Sequence, residues 1–499
     1  MHAHLPALKT LTALAAFLTG LGLVAYFASH ELLLLLVLGS IAVLSGLYLF
    51  RSPQAATLLF TFVFYSNIAV LAYQFHGVPQ PVAAAVPLLL TLPLARYLFV
   101  QREGLIVDGV LGLMLLYLLT LILASFTCKD IFVALNEIGN YAIEGIVLYF
   151  LVLNAVRRLP DLRRVLWTLL LVGSFLGSLS LVQELTHSYD NNFFGLAQRK
   201  KTIDFDNLDY DVYSGAKRAE GPVGEQNRYA QIMVVLLPLA LYLFYVERTR
   251  RRLLALAAAG LILSGVLLTF SRATFLTLVV LFLLLVPLKY IRPGHALAAG
   301  LALAAIVALA LPDYIARVKG LVNITNLQAR DAKTRELDGS LRGRYAQNLA
   351  ALHVFVDHPL TGVGPGHFAK FYVRKYGNEV GTKLLRGNRR AHNMYLEMAA
   401  ENGVFGLSAF LAIVLFMQVQ LWRARRHWLP HRPELAHLAT AFFLSIIAYL
   451  GTAVFLHLSY QRYYWFLLAL AGVVLQLLKN EARAAQPAGA TPHPLPVAA

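Results

Sequence analysis

The chain has 499 residues, of which 58% are hydrophobic and 14% charged. Soluble domains carry about 25% charged residues, so a soluble globular class is excluded and a membrane class expected. The formal charge of +17 would suit nucleic acid, but its distribution argues against that. The single cysteine, Cys128, excludes an internal disulfide and a cysteine metal site.

Apolar runs long enough to cross about 30 Å of hydrocarbon begin at 11–28, which is read as retained because no small-residue cleavage site follows it. The runs at 32–50, 55–75, 81–100, 105–126, 138–155 and 165–185 complete an N-terminal block, 1–185, of seven spans. A loop, 186–227, follows. Four spans (228–246, 253–270, 272–290 and 295–311) fill 228–311. A second loop, 312–402, precedes three more spans in 403–478, at 403–421, 435–457 and 462–478. The tail, 479–499, turns Ala/Pro-rich and reads as disordered and cytoplasmic. The expected fold is an all-α polytopic membrane protein with about fourteen transmembrane helices and a large, partly helical outer loop.

The basic residues give the orientation. With the N-terminus inside, Arg157, Arg158, Arg163 and Arg164 fall inside. So do Arg248, Arg250, Arg251, Arg252, Lys289, Arg292, Arg423, Arg425, Arg426, Arg432, Lys479 and Arg483, while the short outer loops carry almost no positive charge. That is the positive-inside pattern. It accounts for the charge without nucleic acid and puts both long loops outside.

The first long loop holds Asp204, Asp206, Asp209 and Asp211, which read as a solvated acidic stretch, and ends in AKRAEGPVGEQNRYAQ (216–231). The second begins its ordered part with a helix over 340–359. Ser340 would cap it, and Leu341, Tyr345, Leu349, Leu352 and Val356 would form its apolar stripe, with Arg344 and Asn348 one turn apart on another face. Pro359 ends that helix, and TGVGPGHF (361–368) is a Gly/Pro turn. AHNMYLEMAAENGVFGL (391–407) reads as a helix starting near His392 and ending at Asn402-Gly403.

Arginine beside apolar spans on the outer side suits a phosphate head group, because its fork binds two oxygens and stays charged. Arg218, Arg228, Arg272 and Arg344 are the candidates. Arg272 stands out in TFSRATF (269–275), where it nearly interrupts two apolar runs, although snorkelling to the interface is its ordinary alternative. His392 is the candidate base, since a neutral imidazole can accept a hydroxyl proton near pH 7. His353, His358 and His367 compete with it. No HExxH spacing is present and GVGPG lacks the residues of a P-loop, so no metal and no cofactor are expected.

In this order the motifs RAEGPVGEQNRYA (218–230), TFSRATF (269–275), HPLTGVGPGHF (358–368) and AHNMYLEMAAENGVFGL (391–407) resemble the bacterial O-antigen ligase / O-antigen polymerase family. The resemblance implies a metal-independent, inverting glycosyltransferase of the C type in the bacterial inner membrane. It would move a glycan from undecaprenyl diphosphate to an acceptor hydroxyl on the periplasmic side, the acceptor being another glycan or lipid A core. It implies that Arg218, Arg272 and Arg344 hold the diphosphate and that His392 deprotonates the acceptor. Asn393, Asn227, Gly364 and Gly366 would support them. The chain departs from the family pattern in having more spans, a long interval before Arg344 and the segment YQRYYWF (460–466), whose tyrosines read as an interfacial belt. Exopolysaccharide polymerase, lipid-linked glycan flippase and protein O-oligosaccharyltransferase are the alternatives. Against a carrier stands the absence of a visible inverted repeat.

Overall fold

The structure is a computed structural model that describes residues 43–200, 218–301 except 296 and 299, 339–376 except 374, 390–457 and 461–485. The expected span 11–28, more than half of 32–50 and most of 295–311 lie outside the described residues. So do Asp204, Asp206, Asp209, Asp211 and the tail beyond 485.

The described chain is predominantly helical. In order it forms α1 (Pro53–Tyr65), α2 (Ile68–His76), α3 (Gln80–Val100), α4 (Gly109–Ser125), α5 (Ile131–Ala155) and α6 (Leu159–Leu185). Strands β1 (Gln198–Lys200) and β2 (Arg218–Gly221) pair antiparallel. Then come α7 (Gln226–Val246), α8 (Thr249–Leu267), α9 (Arg272–Leu284) and α10 (Gly339–Asp357). The last helices are α11 (Met394–Trp428), α12 (Pro433–Ala453) and α13 (Arg462–Ala484). Short polar side chains start many of them by accepting from the first free amides. Asp108 caps α4, Asp130 caps α5, Glu225 caps α7, Ser271 caps α9 and Asn393 caps α11.

Seven helices (α3, α5, α6, α7, α11, α12 and α13) are long and apolar enough to cross a membrane, and the α1–α2 pair, bent by 54°, makes an eighth if it is one span. The protein is therefore multi-pass, but among the described residues the count falls short of fourteen. The expected runs 105–126 and 272–290 contain helices of only 17 and 13 residues. α8 begins with three arginines, which shorten its apolar part.

Lipid offers helices no hydrophobic drive to associate, so close backbone approach carries the packing. The α6–α8 crossing shows this. A Cβ on Gly177 of α6 would stand 2.1 Å from the Leu261 carbonyl oxygen of α8, and one on Gly265 would stand 3.0 Å from Gly177 Cα. Toward lipid the bundle shows leucines, such as Leu116, Leu119 and Leu123 of α4.

One expectation is corrected here. Tyr463, Tyr464, Trp465 and Phe466 form no interfacial belt but are buried. α13 is enclosed by α5 and α12, and its aromatics meet Phe64, Tyr141, Phe410 and Tyr449 edge-on or tilted. In α10 the stripe with Tyr345, Leu352 and Val356 faces outward, and the protein side is Ala346, Gln347, Ala350, Ala351 and Val354. Alanines let α10 lie close to Ala391 and Ala400 in a second small core, which larger side chains would prevent.

The basic clusters expected inside gather at one end of the bundle. Trp167 Nε1 donates to Glu247 (3.2 Å), Arg425 to the Leu288 carbonyl (3.1 Å), and Tyr290 and His437 bond at 2.6 Å. At this end Arg432 also pairs with Glu434 and Glu481.

Gly177→Leu should abolish the α6–α8 crossing and lose most of the folded protein in detergent. Gly112→Leu, with open space around its Cβ position, should leave yield and melting temperature unchanged. Size-exclusion profiles of both variants check this.

Candidate functional site

The opposite end of the bundle is built on interrupted helices. α11 breaks at Gly403 (φ 63°). A break frees backbone groups that lipid cannot satisfy, and the Gly/Pro turn supplies their partners. Val363 N–H donates to the Ala400 carbonyl (3.0 Å) and Gly364 N–H to that of Glu401 (2.8 Å). In return Val404 and Phe405 donate to the carbonyls of Pro359 and Leu360 (2.8 and 3.3 Å). Glycine is required on both sides, because a Cβ on Gly362 would meet Glu401 backbone at 2.3 Å and one on Gly403 the Leu360 oxygen at 2.1 Å. Gly364 and Gly366, also at positive φ, abut Cys128 and Glu137 in the same way. Their place is beneath the site, as the fastening of its helix.

That fastening fixes the short helix 394–402. Asn393 accepts from the Tyr395 and Leu396 amides (3.0 and 3.1 Å), so His392 projects just before the first turn. The His392 ring lies 5.7 Å from the His457 ring, edge to face at 64°. The carbonyl of His457 accepts from Arg228 Nη2 (2.9 Å), and Arg228 Nη1 donates to Gln231 Oε1 (2.7 Å). Arg390 pairs with Glu137 and Glu397 at 3.5 and 3.4 Å. Burial, then the neighbouring Arg228, Arg390, His392 and Arg344, which disfavour a further positive charge, push the His457 imidazole from its ordinary 6.5 down to about 2. Arg344, half-buried on α10, thus belongs to the same cluster as His392.

The other arginines converge from the α8–α9 break. Phe270 there takes a positive φ of 49°, and Arg272 opens α9, half-buried behind the Ser271 cap. Arg218, buried in β2, donates from Nε to the Thr269 carbonyl (2.7 Å) and from Nη2 to Asn227 Oδ1 (3.2 Å). Ala219 N–H adds a bond to the Leu268 carbonyl (3.0 Å). Arg218 and Arg272 are therefore held by one interrupted segment, and Asn227 ties Arg218 to the turn that carries Arg228. One guanidinium edge of Arg218 is already committed to backbone, which gives it a positioning duty as well as a charge.

Of the competing histidines, His367 is taken. Its Nδ1 donates to the Pro365 carbonyl (2.9 Å) and its Nε2 accepts from the Asp130 amide (3.1 Å), which fixes its tautomer inside the protein. His353 and His358 are exposed. Among the described residues no group of three or more His, Cys, Asp or Glu side chains is arranged to hold a metal.

Sequence reasoning missed His457, Arg390, Glu137 and Glu397. His457 lies 65 positions from His392, in an apolar stretch without any motif. Arg390 had a signal, being two residues before His392, but it was passed over as loop charge.

Residues 257–411 match a family model described as O-antigen ligase. The segment runs from α8 through the α8–α9 break, α10 and the Gly/Pro turn to the broken start of α11. No curated protein matches the chain. The match supports the O-antigen ligase family for this segment and O-antigen-ligase-like glycan transfer as the coarse activity.

His457 binds a proton in the unfolded chain near pH 6.5 but in the folded protein only near 2. Between those values the unfolded state holds more protons, so stability is full above about pH 6.5 and falls as the pH falls, by at most about 1.4 kcal/mol per unit for one proton. The melting temperature should drop from pH 7.5 to pH 5, and His457→Gln should reduce the drop. Equal drops in both proteins would contradict this.

Proposed function

We propose that the protein transfers a glycan from undecaprenyl diphosphate to an acceptor hydroxyl at the outer face of the bacterial inner membrane. The observation that carries this is the gathering of Arg344, Arg390 and Arg228 with two histidines at the end opposite the inner basic clusters. A diphosphate is the ligand whose charge such a cluster suits. The acceptor is lipid A core, for a ligase, or the end of another lipid-linked glycan, for a polymerase.

His392 takes the proton of the acceptor hydroxyl. The acceptor oxygen forms its bond to the anomeric carbon as the bond from that carbon to the diphosphate oxygen breaks. Attack from the face opposite the leaving group inverts the centre. The electron pair departs with undecaprenyl diphosphate, and charge builds on the leaving oxygen. Arg344, Arg272 and Arg218 offset it, and guanidinium groups held in advance do so without reorganisation. His457, neutral at working pH, holds the His392 ring edge-on. Asn393 sets the helix start that aims it.

In proteoliposomes supplied with undecaprenyl-diphosphate glycan and acceptor, His392→Ala should lower kcat about 10²- to 10⁴-fold, the range for losing a general base. Arg344→Ala should cost a comparable factor, and Arg344→Lys should restore only part of it, because lysine lacks the fork. His353→Ala should behave as wild type. Undiminished transfer by His392→Ala would remove that residue from the mechanism.

A further inference from the structure

α10 is apolar on two opposite faces. At 100° per residue, Ala346, Ala350 and Val354 point to the protein, while Tyr345, Leu352 and Val356 point away and are 54%, 42% and 67% exposed. Arg344 and Asn348 lie along one border between the faces, His353 and Asp357 along the other. An apolar stripe edged by polar residues is the pattern of a helix lying in a membrane surface.

The stripe is also continuous with surface that belongs to the bilayer. Leu360, 59% exposed, follows it directly, and the Leu360 carbonyl accepts from Phe405 N–H (3.3 Å). Phe405, 52% exposed, begins the membrane-crossing part of α11 just past the break. Exposed apolar side chains therefore pass from a lipid-facing span through Leu360 onto α10.

We infer that α10 lies in the outer membrane–water interface, with Tyr345, Leu352 and Val356 among lipid acyl chains and its alanine face on the protein. The apolar face of such a helix reaches about 5–10 Å into the boundary between head groups and acyl chains. Arg344, on the border of the immersed face, is then held at phosphate height. The inference rests on α11 crossing the membrane and not on the transferase reading, so its test fails or succeeds apart from that reading.

The test uses the full-length protein with Cys128→Ala and one new cysteine, at Val356→Cys, Leu352→Cys or His353→Cys. Each variant carries a nitroxide label and is reconstituted in phosphatidylethanolamine/phosphatidylglycerol vesicles. Collision rates with oxygen, which partitions into lipid, and with a nickel chelate, which stays in water, are measured. At 352 and 356 oxygen collisions should exceed nickel collisions several-fold, and at 353 the order should reverse. Nickel access at 356 would mean water covers the stripe. Protection from both reagents would mean another part of the protein does. Spin–spin broadening that grows with protein density would mean a second copy. Each of these three results overturns the inference.

Discussion

The exchange of backbone hydrogen bonds between the broken α11 and the turn at 359–364 is the constraint on which the site depends. Inside a membrane protein every interrupted helix needs partners for its freed amides and carbonyls. The protein meets that need twice at one end. The turn serves Ala400 through Phe405, and β2 serves the α8–α9 break through Ala219 and Arg218. The Asn67 side chain adds a tie from the α1–α2 bend to the Pro222 carbonyl. Segments that look like loops in the sequence thus complete helices. Their side chains inherit the rigidity of the bundle, which is what a charge-binding site requires.

Charge is managed differently at the two ends. At one end arginines pair with glutamates or with carbonyls and hold helix ends together. At the other, burial first and then the nearby Arg228 and Arg390 keep the His457 ring neutral. An anionic ligand placed among these arginines would be drawn by their charge. This links the packing of that end to the affinity proposed for it.

Much of this was legible because it rests on local rules. The stops at Pro359 and Gly403, the cap before Met394 and the charge at Arg272 all follow from one residue's chemistry and its immediate neighbours. What failed were inferences about partners. The apolar stripe of α10 does not say which way it faces: the helix has a second apolar side, and its alanines make the contact with the protein although leucine and tyrosine are more hydrophobic. Tyr463 and Tyr464 look interfacial by composition and are core because α13 is surrounded. His457 was invisible, since only the fold brings it to His392. Three of the expected runs lie largely outside the described residues, and for 105–126 and 272–290 apolar composition alone cannot separate a crossing from a shorter helix.

Asn67 has one more implication. Besides the Pro222 carbonyl it bonds Arg462, 395 positions later in the chain, and Phe64 beside it packs against Tyr463 and Phe466. Helices enter the membrane in the order of synthesis, so α1 and α2 are in place long before α13 exists. The polar bend between them has to wait without its arginine while 395 further positions are synthesised. Closure of the bundle is therefore a late event that joins helices made early to one made much later. Shortening the chain anywhere before Arg462 would leave the α1–α2 bend without this seam.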